Sequence, residues 1–246
     1  MLEFHGETDI GRRRQLNEDT ILATDGLFLV CDGMGGHKAG EVASALAADV
    51  IANFVKRSAN DPELTWPFGF DTRLSYEGNC LATAIKLANR FVCRKAASSE
   101  EYSGMGTTVA ALLVSARRSE MTYGHVGDSR IYLIRGHAMS QLTRDDTWVN
   151  LMPTEDLSSD WRNILTKALG ARDDVDFEVS VRELRPGDMV LLCSDGLTNM
   201  VSDAAILEIV TNNSGHLREA CQALVASANA QGGRDNISVM LVRYSP

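Results

Sequence analysis

Long apolar runs, paired cysteines and excess positive charge are what this 246-residue chain lacks. No stretch approaches the roughly 20 apolar residues that cross a bilayer. The opening Met1-Leu-Glu-Phe-His5 does not run from positive charge into an apolar core, as a secretion signal does. Both features predict a cytoplasmic protein with no membrane partner. The five cysteines, Cys31, Cys80, Cys93, Cys193 and Cys221, contain no C-x-x-C pair, and their odd number disfavours a disulfide framework. They read as buried free thiols. Without cysteines and histidines at ligand spacing, zinc is disfavoured. Lys and Arg number 24 against 33 Asp and Glu, a formal charge of −9. That balance argues against general nucleic-acid binding. No Gly-Lys-Ser/Thr occurs, so the glycine-rich stretch at 33–36 is not a nucleotide phosphate loop. Neither a solenoid-period repeat, a low-complexity segment nor a domain linker interrupts the chain.

What is present is 44% hydrophobic residues in a length that suits one domain spanning residues 1–246. Residues 1–25 read as irregular to extended. Leu27–Cys31 is a short apolar run, long enough for one buried strand and too short for a helix. Helical spacing follows from Gly40 to about Ser58, with Val42, Leu46, Val50 and Phe54 on one face, and again from about Asn79 to Ser98. Between them, Trp66-Pro-Phe-Gly-Phe70 is too aromatic for a linker and predicts an ordered loop. Thr107–Val114, Met121–Val126 and Arg130–Ile134 read as strands, the last two as a hairpin about Gly127-Asp128-Ser129. Residues 145–163 are polar and irregular. Asp188–Cys193 is a second buried strand, Ala204–Val210 and Leu217–Ala230 are helices, and Asn236–Tyr244 is a closing strand. Strands that cluster, rather than alternate with helices, predict an α+β fold with antiparallel sheets.

Two stretches share one design. Leu27–Gly33 and Val190–Gly196 are each an apolar strand that runs into an Asp-Gly corner, at Asp32-Gly33 and Asp195-Gly196. Asp128 stands beside a glycine at a third strand end, and Asp235 follows Gly232-Gly233-Arg234 just before the last strand. Strand ends of a layered sheet can share one rim. Carboxylates gathered there repel one another and hold protons unless a cation joins them. An all-oxygen set favours Mg²⁺ or Mn²⁺. Upstream lies the run Arg12-Arg13-Arg14, which the residues alone leave as three equivalent solvated charges.

Read together, the motifs resemble a family. Thr8-Asp9-Ile-Gly11-x-x-Arg14-x-x-Asn17-Glu18-Asp19 is followed by Asp32-Gly33-Met34-Gly35-Gly36 and Gly106-Thr107-Thr108. Then come His125-Val126-Gly127-Asp128-Ser129-Arg130, Leu142-Thr143-x-Asp145 and Leu165-Thr166-x-Ala168-Leu169-Gly170. Ser194-Asp195-Gly196-Leu197 and Asp235-Asn236-Ile237 complete the set. In this order they are similar to the bacterial metal-dependent Ser/Thr protein phosphatases of the 2C type, over about residues 5–244.

The resemblance implies a four-layer α-β-β-α sandwich, two mainly antiparallel sheets flanked by helix pairs. It implies hydrolysis of phosphoserine and phosphothreonine on proteins, opposing a cognate bacterial Ser/Thr kinase. Two Mn²⁺ or Mg²⁺ ions would activate a bridging water for in-line attack, with a third, looser ion beside them. Asp32 would bridge the pair, and the carbonyl of Gly33 would hold one ion. Asp195 and Asp235 would ligate the other, Asp128 with Asp195 would hold the third, and Glu18 and Asp19 would act through bound waters. Arg14 would take the substrate phosphate. Met34 stands where animal members carry a candidate acid histidine. Residues 145–163 match a short flap over the site, with Asp146 where many relatives have histidine. His125 reads as structural, and His37, weighed as a proton donor, reads as an exposed turn residue. The loop 66–70 with Leu74-Ser resembles phosphatases that oppose a kinase of type VI secretion. The expected protein is a monomer. The alternative is a catalytically weak or dead phosphoprotein-binding scaffold of the same fold. Cysteine-dependent phosphatases are excluded because no cysteine has an arginine six positions later, and Asp174-Val-Asp176 follows no strand.

Overall fold

The computed structural model describes residues 2–35, 39–61, 63–115, 118–151 and 164–245. Among them, two antiparallel sheets pack face to face. One orders β1 (Leu2–Asp9), β11 (Ile237–Tyr244), β10 (Met189–Cys193), β7 (Arg130–Arg135) and β8 (Ala138–Gln141). The other orders β2 (Asp19–Thr24), β3 (Leu27–Met34), β5 (Val109–Ser115), β6 (Glu120–Val126) and β9 (Val179–Glu183), with β4 (Gly106–Thr107) against the end of β3. Helices α1 (Ala39–Asn60) and α2 (Tyr76–Ala96) cover the β3 sheet. Helices α5 (Asp203–Asn212) and α6 (Leu217–Ala230) cover the β10 sheet, and the short α3 (Trp148–Leu151) and α4 (Asp195–Thr198) lie between strands in the chain. The expected α+β sandwich is therefore observed.

Period-2 patterning explains the layers. In β3, Leu27, Leu29 and Cys31 face α1 and α2, whereas Phe28 and Val30 face the other sheet. In β10, Leu191 and Cys193 face the α5–α6 layer while Val190 and Leu192 meet Phe28 and Val30. A strand apolar on both faces belongs in the middle of a layered stack. Burying each such Leu, Val or Phe contributes about 1.5–3 kcal/mol. The aromatic loop is ordered as expected, with Trp66 edge-on to Phe54, Phe70 and Tyr76 at 6.1, 5.2 and 5.6 Å. Ser75 caps α2, accepting from the Gly78 amide at 3.0 Å.

Several expectations are corrected. Met121–Val126 and Arg130–Ile134 do not form a hairpin: β6 pairs with β5 and β9, and β7 with β10 and β8. The Gly127-Asp128-Ser129 turn instead crosses from one sheet to the other, a distinction that local alternation does not carry. Of residues 1–25, read as irregular to extended, Leu2–Asp9 and Asp19–Thr24 are strands. The stretch from Thr107 divides into β4 and β5 at Thr108. The last strand is central, between β1 and β10. Within 145–163, a helical turn spans Trp148–Leu151, and residues 152–163 lie outside the described residues, as does His37. No described helix is long and apolar enough to cross a membrane. Cys31, Cys80, Cys193 and Cys221 are buried free thiols, and Cys93 is half-buried.

Candidate metal centre

The C-terminal ends of β3 and β10 deliver the two Asp-Gly corners to one cleft of about 190 Å³. Arg14, Glu18, Asp32, Gly33, Asp128, Asp195 and Asp235 line it, with Met34, Thr108 and Leu165. Seven of the eight residues singled out from the sequence thus share one cavity. Asp19 is the exception, because it does not line the cleft. It faces Asp32 across the β2–β3 pair, nearly fully buried, and its Oδ2 accepts a 2.9 Å hydrogen bond from Ser194 Oγ.

The corner glycines have a packing role. A Cβ on Gly33 would stand 2.1 Å from the Gly40 carbonyl oxygen, and one on Gly196 would stand 1.9 Å from that of Asn236. Each corner is therefore pressed against a neighbouring backbone. Thr108 fixes the β3 end. Its Oγ accepts from the Asp32 amide at 3.0 Å and contacts Ser129 Oγ at 2.7 Å, while Thr107 Oγ donates to the Asp32 carbonyl at 2.9 Å.

The electrostatics are those of crowded acids. Burial, then repulsion from Asp19, Asp195, Asp128 and Asp235, pushes Asp32 well above the usual carboxylate range. Burial, then Asp195 and Asp145, raises Asp128 to about 7. Burial raises Asp19 to about 6 against the hydrogen bonds from Ser238 and Ser194. Burial also raises Glu18 and Asp195, the former opposed by Arg14. Three carboxylate oxygens, Glu18 Oε1, Asp19 Oδ1 and Asp195 Oδ1, are buried with no hydrogen-bond partner. An orphaned anionic oxygen is costly. Cations in the cleft would remove both the orphaning and the repulsion, so these residues fit a hard metal centre. The described residues contain no ready-made cluster of three or more His, Cys, Asp or Glu about one point.

Arg14 alone of the arginine run reaches the cleft. Its Nη2 donates to Asp235 Oδ2 at 2.8 Å, and its Nη1 lies 3.8 Å from Glu18 Oε2. Asp235 Oδ1 accepts from the Asn236 amide at 2.9 Å, and Asp195 Oδ2 from Asn199 Nδ2 at 2.9 Å. His125 is structural, with Nε2 at 2.8 Å from the Arg144 carbonyl.

Two positioning residues escaped the sequence reading. Asn236 donates to the Ile10 and Leu16 carbonyls at 3.0 and 2.9 Å and accepts from the Glu18 amide at 2.8 Å, strapping the arginine segment to β11. Asp146 clasps the Asp128 turn: its amide donates to the Gly127 carbonyl at 2.9 Å, and its Oδ2 accepts from the Gly127 amide at 3.0 Å. Lys167 pairs with the other oxygen at 3.2 Å, and Arg130 grips Asp145 next door with Nη2–Oδ2 at 2.8 Å. A buried Asn just before an apolar strand was the available signal for the first. The second joins residues 19 positions apart and has no local signature.

Comparison with known proteins identifies the family. Residues 10–241 match the family model described as protein phosphatase 2C. The chain is 35% identical to the serine/threonine phosphatase stp of Listeria monocytogenes, over 97% of this chain and 95% of that protein. It superposes on the catalytic domain of the serine/threonine phosphatase PstP, in complex with two manganese ions, with a TM-score of 0.83 and 33% identity over 100% and 99% of the two chains. It superposes on PppA, a regulatory component of the type VI secretion system in Pseudomonas aeruginosa, with a TM-score of 0.81 and 28% identity over 98% and 97%.

Proposed function

The chain belongs to the protein phosphatase 2C family, and we propose that this Ser/Thr protein phosphatase works through a dinuclear Mn²⁺ or Mg²⁺ centre in the cleft of Asp32, Asp195 and Asp235. The single observation that supports this reading most is the ring of acids with orphaned buried oxygens, closed at its lip by Arg14. In it, Asp32, the Gly33 carbonyl, Asp195 and Asp235 would hold the ions. Asp128 serves a third ion, and Glu18 and Asp19 orient waters. When bound, the cations offset phosphoryl charge and make a water acidic enough to attack in line near neutral pH.

The chain's own residues do the rest. Arg14 presents a planar fork that grips two phosphate oxygens, which a lysine cannot match. Leaving Asp235 for the phosphate is easy because the pair is half-exposed and weak. Asn236 holds the Arg14–Glu18 segment at the cleft, and Asp146 holds the Asp128 turn. Met34 lines the cleft without a proton to give, so the leaving-group proton comes from elsewhere than that position.

The biological reading is reversal of a bacterial Ser/Thr kinase by a monomeric, single-domain enzyme acting on phosphoproteins in the cytoplasm. Likeness to PppA over nearly the full chain supports a role in type VI secretion control. The retained acids weigh against a binding scaffold. The test is hydrolysis of a phosphothreonine peptide with Mn²⁺ and with a chelator. Turnover that needs the metal supports the reading. No turnover in excess Mn²⁺, with peptide binding retained, refutes it in favour of the scaffold.

A further inference from the structure

Away from the acidic cleft, a cavity of about 910 Å³ carries the opposite charge. Lys86, Arg90 and Arg94 line it from successive turns of α2, at i, i+4 and i+8. Like charges at this spacing destabilise a helix. Arg94 lies in the last turn, where a cation complements the helix dipole, but Lys86 and Arg90 stand mid-helix and gain nothing from it. None of the three takes part in an ion pair among the described residues. Asp173 and Asp174 also line the cavity without reaching ion-pairing distance of them. Instead, Phe68 holds two of the cations: the Arg90 guanidinium lies 4.2 Å and the Lys86 ammonium 5.7 Å from its ring centroid. A ring fixes a cation in place while leaving its N–H donors free. In a chain of net charge −9, a preorganised cationic groove with idle donors is a site awaiting an anion.

We infer that this groove docks an acidic segment of the protein substrate, outside the residues that enter the cleft. The inference rests on the phosphatase reading. Charge complementarity sets the occupant. Connectivity places it within one peptide's reach, because the loop from Leu165, in the cleft, to Asp173, at the groove, is eight residues and spans at most about 29 Å. Asn89 of α2 ties that loop down, donating to the Arg172 and Asp173 carbonyls at 2.9 and 3.1 Å.

The test uses two phosphothreonine peptides that differ in a block of four glutamates or four glutamines, set ten residues from the phosphothreonine. Wild-type KM should be about tenfold lower for the glutamate peptide, with kcat unchanged and the advantage shrinking as salt rises. Lys86→Gln/Arg90→Gln should erase the advantage and leave hydrolysis of p-nitrophenyl phosphate unchanged. Arg94→Gln, a milder variant, should reduce it partway. Equal KM values in the wild type, or an advantage that survives in the double variant, overturns the inference. So does a wild-type dimer in sedimentation that the double variant abolishes, because the groove would then belong to a second copy. If the wild type fails to hydrolyse p-nitrophenyl phosphate at all, the phosphatase reading fails separately. Anisotropy of a labelled glutamate peptide on metal-free protein then decides: about tenfold weaker binding by the double variant supports docking, and equal binding overturns it.

Discussion

Arg14 Nη2 sits 2.8 Å from Asp235 Oδ2, so the side chain proposed to take substrate phosphate pairs with a carboxylate proposed to hold metal. The pair is about half-exposed on the arginine side and a third on the aspartate side. Such pairs contribute about 0–1 kcal/mol to stability. Its consequence is functional: Arg14 and a cation would share one carboxylate.

Arg14→Ala should therefore act in opposite directions on the two ligands. Mn²⁺ affinity rises severalfold, because a competing cation has gone. KM for a phosphopeptide rises about tenfold or more, because a charge-assisted fork of roughly 1.5–3 kcal/mol is lost. Calorimetric Mn²⁺ titration and steady-state kinetics on the same variant check both. Unchanged values in both would remove Arg14 from the site.

The raised carboxylates predict an inverted pH profile for the chelator-treated protein. Asp19 and Asp128 titrate at about 6 and 7 when folded, against an ordinary aspartate near 3.8. Between these values the folded state binds more protons than the unfolded state, so stability falls as pH rises from about 4 to 7. Melting temperature without metal should be lower at pH 8 than at pH 5.5, and saturating Mn²⁺ should remove that loss. A metal-free melting temperature that climbs with pH over this range would contradict the crowding.

Asn236→Ala should cost about 2–3 kcal/mol, since three hydrogen bonds to the Ile10, Leu16 and Glu18 backbone vanish together. A loss of that size corresponds to a drop of roughly 5–10 °C in melting temperature for a chain of this length. Phosphopeptide KM should rise along with it, because Arg14 and Glu18 hang on the strap. Denaturation and kinetics together separate this from a purely structural loss, which would leave KM alone.

How much of this was legible in the sequence depends on where the determining contacts lie. Leu27–Cys31 and Met189–Cys193 announce themselves because strands buried on both faces are apolar at every position. Helix α1 and helix α2 follow from spacing. The strand β1 was not resolved from irregular chain because three of its eight residues are exposed and none is buried, leaving Leu2-Glu-Phe-His-Gly-Glu-Thr-Asp9 without a clean alternation. The sheet-to-sheet crossing at Asp128 looked like a hairpin because both produce two strands about a glycine turn. For the site, the acids were readable as strand-end Asp-Gly corners, and motif order alone singled out Arg14. Asp19 beneath the cleft, the Asn236 strap and the Asp146 clasp depend on pairings 13 to 226 residues apart, which no local pattern encodes.

The central claim is that Asp32 organises the metal centre on which turnover depends. Calorimetric titration of Mn²⁺ into wild-type protein and Asp32→Ala, paired with p-nitrophenyl phosphate hydrolysis at saturating Mn²⁺, tests it most directly. The account predicts at least two bound ions and turnover in the wild type, and loss of the tightly bound pair with at least a thousandfold drop in kcat in the variant, about 4 kcal/mol of transition-state stabilisation. Near-normal turnover by Asp32→Ala, or wild-type hydrolysis that persists after complete removal of metal, would contradict it.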